Sequence, residues 1–308
     1  MDISARQYWA VRSLAADATT AELARAFANA QIRWMLLKGP SIALRLYTDG
    51  AQRPYSDVDA LVHPDDVERA ETTLEALRYE RIPYSTRREQ EHASPWRRQR
   101  GAEVDLHRTF AHIPAEPRSA WSALSRDATT LRVAGEDVAV PSAPALALLV
   151  ALHALHHAGT STKPTADLER ACRVLTRSDW DAARALAVEL RAERNLAAAL
   201  TLSPAAAELS SALGLPKLRR WEVTLRSGEY ARLAAAVGGL GKEKGVRGRV
   251  AALYRAVVPD REVTDVELRP NYDGASRAAI LIRRMGRSAL KLPVALVAWW
   301  VHRRDAHG

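Results

Sequence analysis

Between Trp34 and Val62 the chain spells out two strands and a sharp turn in a fixed order. Trp34-Met35-Leu36-Leu37 runs into Lys38-Gly39-Pro40-Ser41. After a spacer of helical length comes Arg53-Pro54-Tyr55-Ser56-Asp57-Val58-Asp59-Ala60-Leu61-Val62. The apolar run Met35–Leu37 predicts a buried strand that stops at Lys38-Gly39. Pro40 and Ser41 predict the opening of a short helix, because proline at the first helical position lacks only an N–H that has no partner there anyway. Asp57 and Asp59 stand two apart on the second predicted strand, so they project from one face, and Val58 and Leu61 are available to the core.

Two carboxylates side by side on a strand repel each other. They are tolerated in water, or where a divalent cation sits between them. Mg²⁺ takes oxygen ligands and is commonly held by one or two carboxylates plus substrate phosphates. A Gly-Pro-Ser turn at a helix start offers backbone N–H groups suited to phosphate. Together these parts point to metal-assisted phosphoryl or nucleotidyl transfer. The plain alternative is that Asp57 and Asp59 form the solvated face of an edge strand, since Asp-x-Asp alone is a common surface pattern.

Leu37-Lys38-Gly39 before a helix, then Arg53-x-x-Ser56-Asp57-Val58-Asp59-x-Leu61-Val62, resembles the nucleotidyltransferase-fold superfamily of DNA polymerase beta. The nearest branch is that of uncharacterised nucleotidyltransferases found beside peptide natural-product genes. There is also a resemblance to AbiEii-type toxin nucleotidyltransferases. It covers roughly residues 30 to 200. The chain departs from the superfamily's usual Gly-Ser or Gly-Gly in having Gly39-Pro40-Ser41. The resemblance implies an α+β fold: a small mixed β-sheet core with flanking helices, followed by a mainly helical C-terminal half.

Further along, Glu91–Gln99 and Ala102–His107 predict a hairpin around Arg100-Gly101. Alternation in Glu103-Val104-Asp105-Leu106-His107 puts Glu103, Asp105 and His107 on one face. In the superfamily a third carboxylate arrives on a strand beside the Asp-x-Asp pair. The Val-Asp-Leu-His match makes that residue Asp105, with Glu103 competing by position. Asp105 would serve as general base for the acceptor hydroxyl and as a third metal contact. His107 would contact a phosphate or orient the acceptor; the plain alternative is a strand-end histidine bonded to backbone.

The remaining elements follow from periodicity. Residues 4–30 predict two amphipathic helices, the second opening at Thr20. Pro64-Asp65-Asp66 predicts a helix start with both carboxylates at its positive end. A short helix over 117–124 is followed by a hairpin turning at Gly135-Glu136-Asp137. From Pro141 nearly everything reads as helical, which places a boundary there: a catalytic half, 1–140, and a helical half, 141–308. In the helix Ala145–His157, His153 and His157 share a face, but no H-E-x-x-H pattern follows. Thr165 predicts a cap, with Asp167 in the first turn of the next helix. By the resemblance, Lys163 would neutralise nucleotide phosphates and Asp167 would hold Lys163 or a histidine. Residues 178–213 predict two or three Ala/Leu-rich helices. Gly238–Gly245 lacks P-loop spacing and reads as a linker.

With 308 residues, of which 47% are hydrophobic, the chain can build a sizeable core. A single cysteine excludes a disulfide framework and a cysteine zinc cluster. Met1-Asp2-Ile3-Ser4 is polar, with no signal-peptide pattern, and the expected location is the cytoplasm. Net charge is +9; residues 242–308 hold 14 Lys/Arg against 7 Asp/Glu and so supply +7 of it. That basic stretch, with Trp299-Trp300, can attract polyanions or an anionic membrane surface, dock a partner or close a dimer. A C-terminal helix packed on the body is the simpler reading.

The expectation is therefore a nucleotidyltransferase. Asp57, Asp59 and Asp105 would hold two Mg²⁺ ions. Lys38, Gly39 and Ser41 would hold the NTP triphosphate, and Arg53 would either join them or brace the aspartates. The acceptor would be a peptide, small molecule or protein; a tRNA 3′ end follows from the toxin-like branch. A binding module without turnover is the non-enzyme alternative, and the presence of all three aspartates argues against it.

Overall fold

The structure, a computed structural model, describes residues 4–82 and 92–228, together with Val297. The linker Gly238–Gly245 and the basic stretch around Trp299-Trp300 lie outside the described residues. The chain forms two compact units, 1–82 with 92–217, and 83–91 with 218–308.

The first unit opens with α1 (Ala5–Asn29), where Ser4 and Gln7 make a reciprocal capping box. Two helices were expected here, and the structure has one of 25 residues. The Thr20 hydroxyl donates to the Ala16 carbonyl at 2.8 Å, one turn back, so this threonine sits inside the helix instead of starting one. Next come β1 (Trp34–Leu36), α2 (Pro40–Leu46) with Pro40 in its first turn, and β2 (Asp57–Val62). A 3₁₀ turn, Pro64–Asp66, leads into α3 (Val67–Ala76). Asp66 does more there than face a helix dipole: it is buried and ion-paired with Arg33 and Arg69. β3 (Glu80–Arg81), β4 (Ala93–Arg97) and β5 (Glu103–His107) complete the sheet.

Strand order is β1-β2-β5-β4-β3. Only β2 and β5 run parallel; the other pairs are antiparallel. Alternation then sorts the side chains. Val58, Ala60 and Val62 of β2 and Val104 and Leu106 of β5 join Leu23 and Phe27 of α1 and Leu74 of α3 in one buried cluster. The polar residues of β2 and β5 are left for the opposite face.

After α4 (Pro117–Ser125), β6 (Thr129–Val133) and β7 (Glu136–Val140) form a separate hairpin that covers α1 and β1. Its turn falls at Ala134-Gly135, one residue before the expected place. Both residues have positive φ, 44° and 90°, as the two-residue turn matched to strand twist requires. α5 (Ala143–His156) is buried nearly all round and packs against α6 (Lys163–Val174), α7 (Arg177–Glu189) and α8 (Glu193–Ala199). α6 begins two residues before the expected Thr165 cap, and Thr162 in the cap position makes no side-chain cap bond. α9 (Pro204–Ala212) closes this unit, and α10 (Arg220–Arg226) belongs to the second. No helix among the described residues is long and apolar enough to cross a membrane.

Candidate active site

The parallel pairing of β2 with β5 sets Asp57 beside Glu103, Asp59 beside Asp105, and Leu61 beside His107. Asp57, Asp59, Asp105 and His107 therefore share the face turned away from the α1 core. Glu103, the competing carboxylate, is exposed at the start of β5, opposite Asp57. Ligand atoms of Asp59, Asp105 and His107 all lie within 4.8 Å of one another. Asp57 sits one pleat earlier on the same face, outside this cluster.

Asp59 is 2% exposed, and its Oδ1 is the meeting point of the site. Lys38 Nζ reaches it at 2.5 Å. His107 Nε2 lies 3.0 Å from the same oxygen. Burial alone would raise Asp59, but Lys38 and His107 hold it well below the usual carboxylate range. Burial also works against the Lys38 charge; Asp59 chiefly, with Asp57 and Asp105, outweighs it and keeps Lys38 above the ordinary lysine value. Asp57 is raised by burial and then by Asp59. Burial, then the charge on Asp59, pushes Asp105 up to about 6. One face thus holds a firmly ionised carboxylate beside one that titrates near neutrality.

The turn expected at Lys38-Gly39 is present. Gly39 takes φ 59° and ψ −118°, a backbone region that side-chain-bearing residues avoid, and it swings the chain from β1 into α2. The Ser41 N–H donates to the Lys38 carbonyl at 3.2 Å, and the buried Ser41 hydroxyl has no hydrogen-bond partner among the described residues. Lys38 Nζ also stands 6.0 Å from the centroid of Phe110, on which the His107 ring stacks at 6.1 Å.

Arg53 and Asp167 are both buried and face each other in a two-pronged pair, Nε to Oδ1 and Nη2 to Oδ2, each 2.7 Å. The Tyr47 hydroxyl donates to Asp167 Oδ1 at 2.8 Å. Burial and then that bond push Tyr47 up to about 12. Lys163 Nζ donates to the Pro54 carbonyl at 2.5 Å; burial and then the Arg53 charge lower its pKa. On the other side, Tyr55 is tied to α1. Its hydroxyl donates to Asp17 at 2.8 Å, its N–H donates to Ser13 Oγ, and the Ser13 hydroxyl donates to its carbonyl. Arg53, Pro54 and Tyr55, the lead-in to Asp57, are thereby held at three successive residues. Tyr47, Tyr55 and Phe110 were not singled out from sequence. Tyr55 lies inside the Arg53–Asp59 motif, which was its one available signal.

His153 and His157 are neighbours, with ring centroids 4.7 Å apart. Burial and then the Lys38 charge hold His153 well below the ordinary histidine value. The metal-capable cluster found among the described residues does not include either of them.

A mixed sheet with an Asp-x-Asp strand lying parallel to a second acidic strand, and a glycine turn leading from the neighbouring strand into a helix, defines a nucleotidyltransferase fold. Residues 4–207 match the family described as "Uncharacterised nucleotidyltransferase", and the chain belongs to that family. Among solved structures, it is similar to an antigenic nucleotidyltransferase-like protein from Paracoccidioides brasiliensis at 19% identity and a TM-score of 0.44, covering 65% of this chain and 92% of that one. The antibiotic-resistance factor ANT(2'')-Ia aligns at 17% identity and 0.40, over 60% of this chain and 96% of its own. The lincosamide antibiotic adenylyltransferase LnuA, lincomycin-bound, aligns at 14% and 0.33, over 48% and 91%. No curated protein matches the chain.

Proposed function

We propose that this protein transfers a nucleoside monophosphate from an NTP to a hydroxyl or phosphate of a peptide, metabolite or protein, releasing pyrophosphate. The observation that carries this reading is the β2–β5 register, which sets Asp59 beside Asp105 on the face that also bears Asp57. The donor set fits a divalent cation: the ligand atoms of Asp59, Asp105 and His107 stand within 4.8 Å of one another. Asp57, Asp59 and Asp105 would hold the cations, Mg²⁺ in the superfamily the chain resembles, which polarise the α-phosphate and offset triphosphate charge when bound.

The chain's own groups supply the rest. Asp105, set beside Asp59 by the strand register, would take the proton of the acceptor hydroxyl as general base. Lys38 and Lys163 bring positive charge to this face for a triphosphate, and Gly39 lets the backbone approach it closely. Arg53, already engaged by Asp167, braces the lead-in to the aspartates instead of gripping phosphate. The acidic strands lie within the expected catalytic half, 1–140, while Lys163 and Asp167 come from beyond it, on α6.

The test is to incubate the protein with each labelled NTP, a divalent cation and a cell extract. The expected outcome is an NTP-dependent labelled peptide, protein or small molecule, with the label falling to background for Asp57→Asn. No label, with Asp57→Asn behaving like the unaltered protein, would leave a nucleotide- or partner-binding module.

A further inference from the structure

We infer that His107 is itself a cation ligand, through Nε2 and alongside Asp59 and Asp105, and that this mixed donor set selects a first-row transition divalent cation over Mg²⁺. The inference rests on the reading of this face as a divalent-cation site. Four observations lead to it. His107 follows Asp105 by two residues on β5, so the pleat alone puts both on the cation-facing side. Its side chain is 8% exposed, and stacking on Phe110 at 6.1 Å and 26° limits the orientation of the ring. Its Nε2 is 3.0 Å from Asp59 Oδ1, within the group whose ligand atoms all stand within 4.8 Å.

The fourth is the other ring nitrogen. His107 Nδ1 is buried with no hydrogen-bond partner among the described residues. The bond made at one ring nitrogen sets the state of the other, and among the described residues no bond at Nδ1 holds the proton on Nε2. In the tautomer that carries its proton on Nδ1, the Nε2 lone pair is available to a cation beside Asp59. Lys38 Nζ, 2.5 Å from Asp59 Oδ1, marks the place where positive charge already belongs, on a flexible stem able to leave it. An imidazole nitrogen suits first-row transition divalents, whereas Mg²⁺ takes oxygen and dehydrates reluctantly.

The experiment uses the full chain with Mn²⁺ as probe and reads nitrogen hyperfine coupling to the bound ion by pulsed electron paramagnetic resonance. Mn²⁺ and Mg²⁺ affinities are measured in parallel by calorimetry. The unaltered protein is expected to show an imidazole ¹⁴N coupling that becomes ¹⁵N on labelling the histidines. His107→Gln keeps an N–H donor for Asp59 but removes the imidazole. It is expected to lose the coupling and to lower the Mn²⁺ preference over Mg²⁺ by about tenfold or more. His107→Asn replaces it if His107→Gln does not fold. Mn²⁺ bound without histidine coupling, or coupling that survives the substitution, overturns the inference and leaves the nucleotidyl-transfer reading standing. No binding of either cation overturns both the inference and the cation site, and NTP-dependent labelling then reports separately on turnover.

Discussion

Asp59 and Asp105 are side by side, yet their environments push them in opposite directions, and the difference sets a pH dependence. Lys38 and His107 converge on Asp59 Oδ1, whereas Asp105 feels burial and its neighbour's negative charge. Asp105 moves from an ordinary 3.8 to about 6, so the folded protein takes up this proton before the unfolded chain does. The stability it contributes is fully present below its unfolded value and is lost as pH rises through about 6. Cation binding runs the other way, since it needs the ionised carboxylate. Without metal, Asp105→Asn is expected to be more stable than the unaltered protein at neutral pH, by at most about 3 kcal/mol. The gap should narrow as pH falls through about 6 and close only toward 3.8, as followed by urea unfolding. Calorimetry in two buffers of different ionisation enthalpy should show proton release on Mn²⁺ binding near pH 6, and Asp105→Asn should release less.

At the scale of elements, α6 and α1 hold the lead-in to β2 between them, and the Arg53–Asp167 pair is the part of that hold most open to test. Breaking a buried ion pair strands the remaining charge, at a cost of about 3–5 kcal/mol. Asp167→Ala and Arg53→Met are each expected to destabilise by roughly that much, and the double variant by clearly less than the sum, in a urea double-mutant cycle. Additive losses would mean the two side chains do not act as a pair. This pairing also shows where the sequence stops being informative. The Asp-x-Asp strand, the Gly39 turn and the Asp105 strand were legible because alternation and turn chemistry act over a few residues. The partner of Asp167 was not: it is 114 positions away, and a carboxylate two residues past the expected Thr165 cap is equally well explained by the helix start. Thr20 misled for a related reason, since a threonine suits a helix cap and equally a bond back to the carbonyl one turn earlier. The long apolar run after Pro141 marked α5, but only the surrounding α6, α7 and α8 explain why it is apolar nearly all round.

For the whole molecule, the distribution of charge decides which acceptor is tested first. Residues 242–308 carry +7 of the net +9, so residues 1–241 are close to neutral. A tRNA acceptor would have to be drawn largely by that C-terminal charge, whereas a peptide or metabolite needs only the acidic face and its lysines. Proteins that contact several phosphates lose about 10³–10⁵ in affinity between roughly 50 and 200 mM salt. Transfer to a small acceptor is expected to change by less than about threefold over that range, because it releases few condensed counterions. Changing Arg283, Arg284 and Arg287 to Gln should then leave NTP-dependent labelling of the small acceptor intact. A steep salt dependence that these three substitutions flatten would move the acceptor to RNA and assign the basic stretch to holding it. The acidic face would keep the same chemistry in either case, since Asp59 and Asp105 are positioned by the β2–β5 register and not by the charge on residues 242–308.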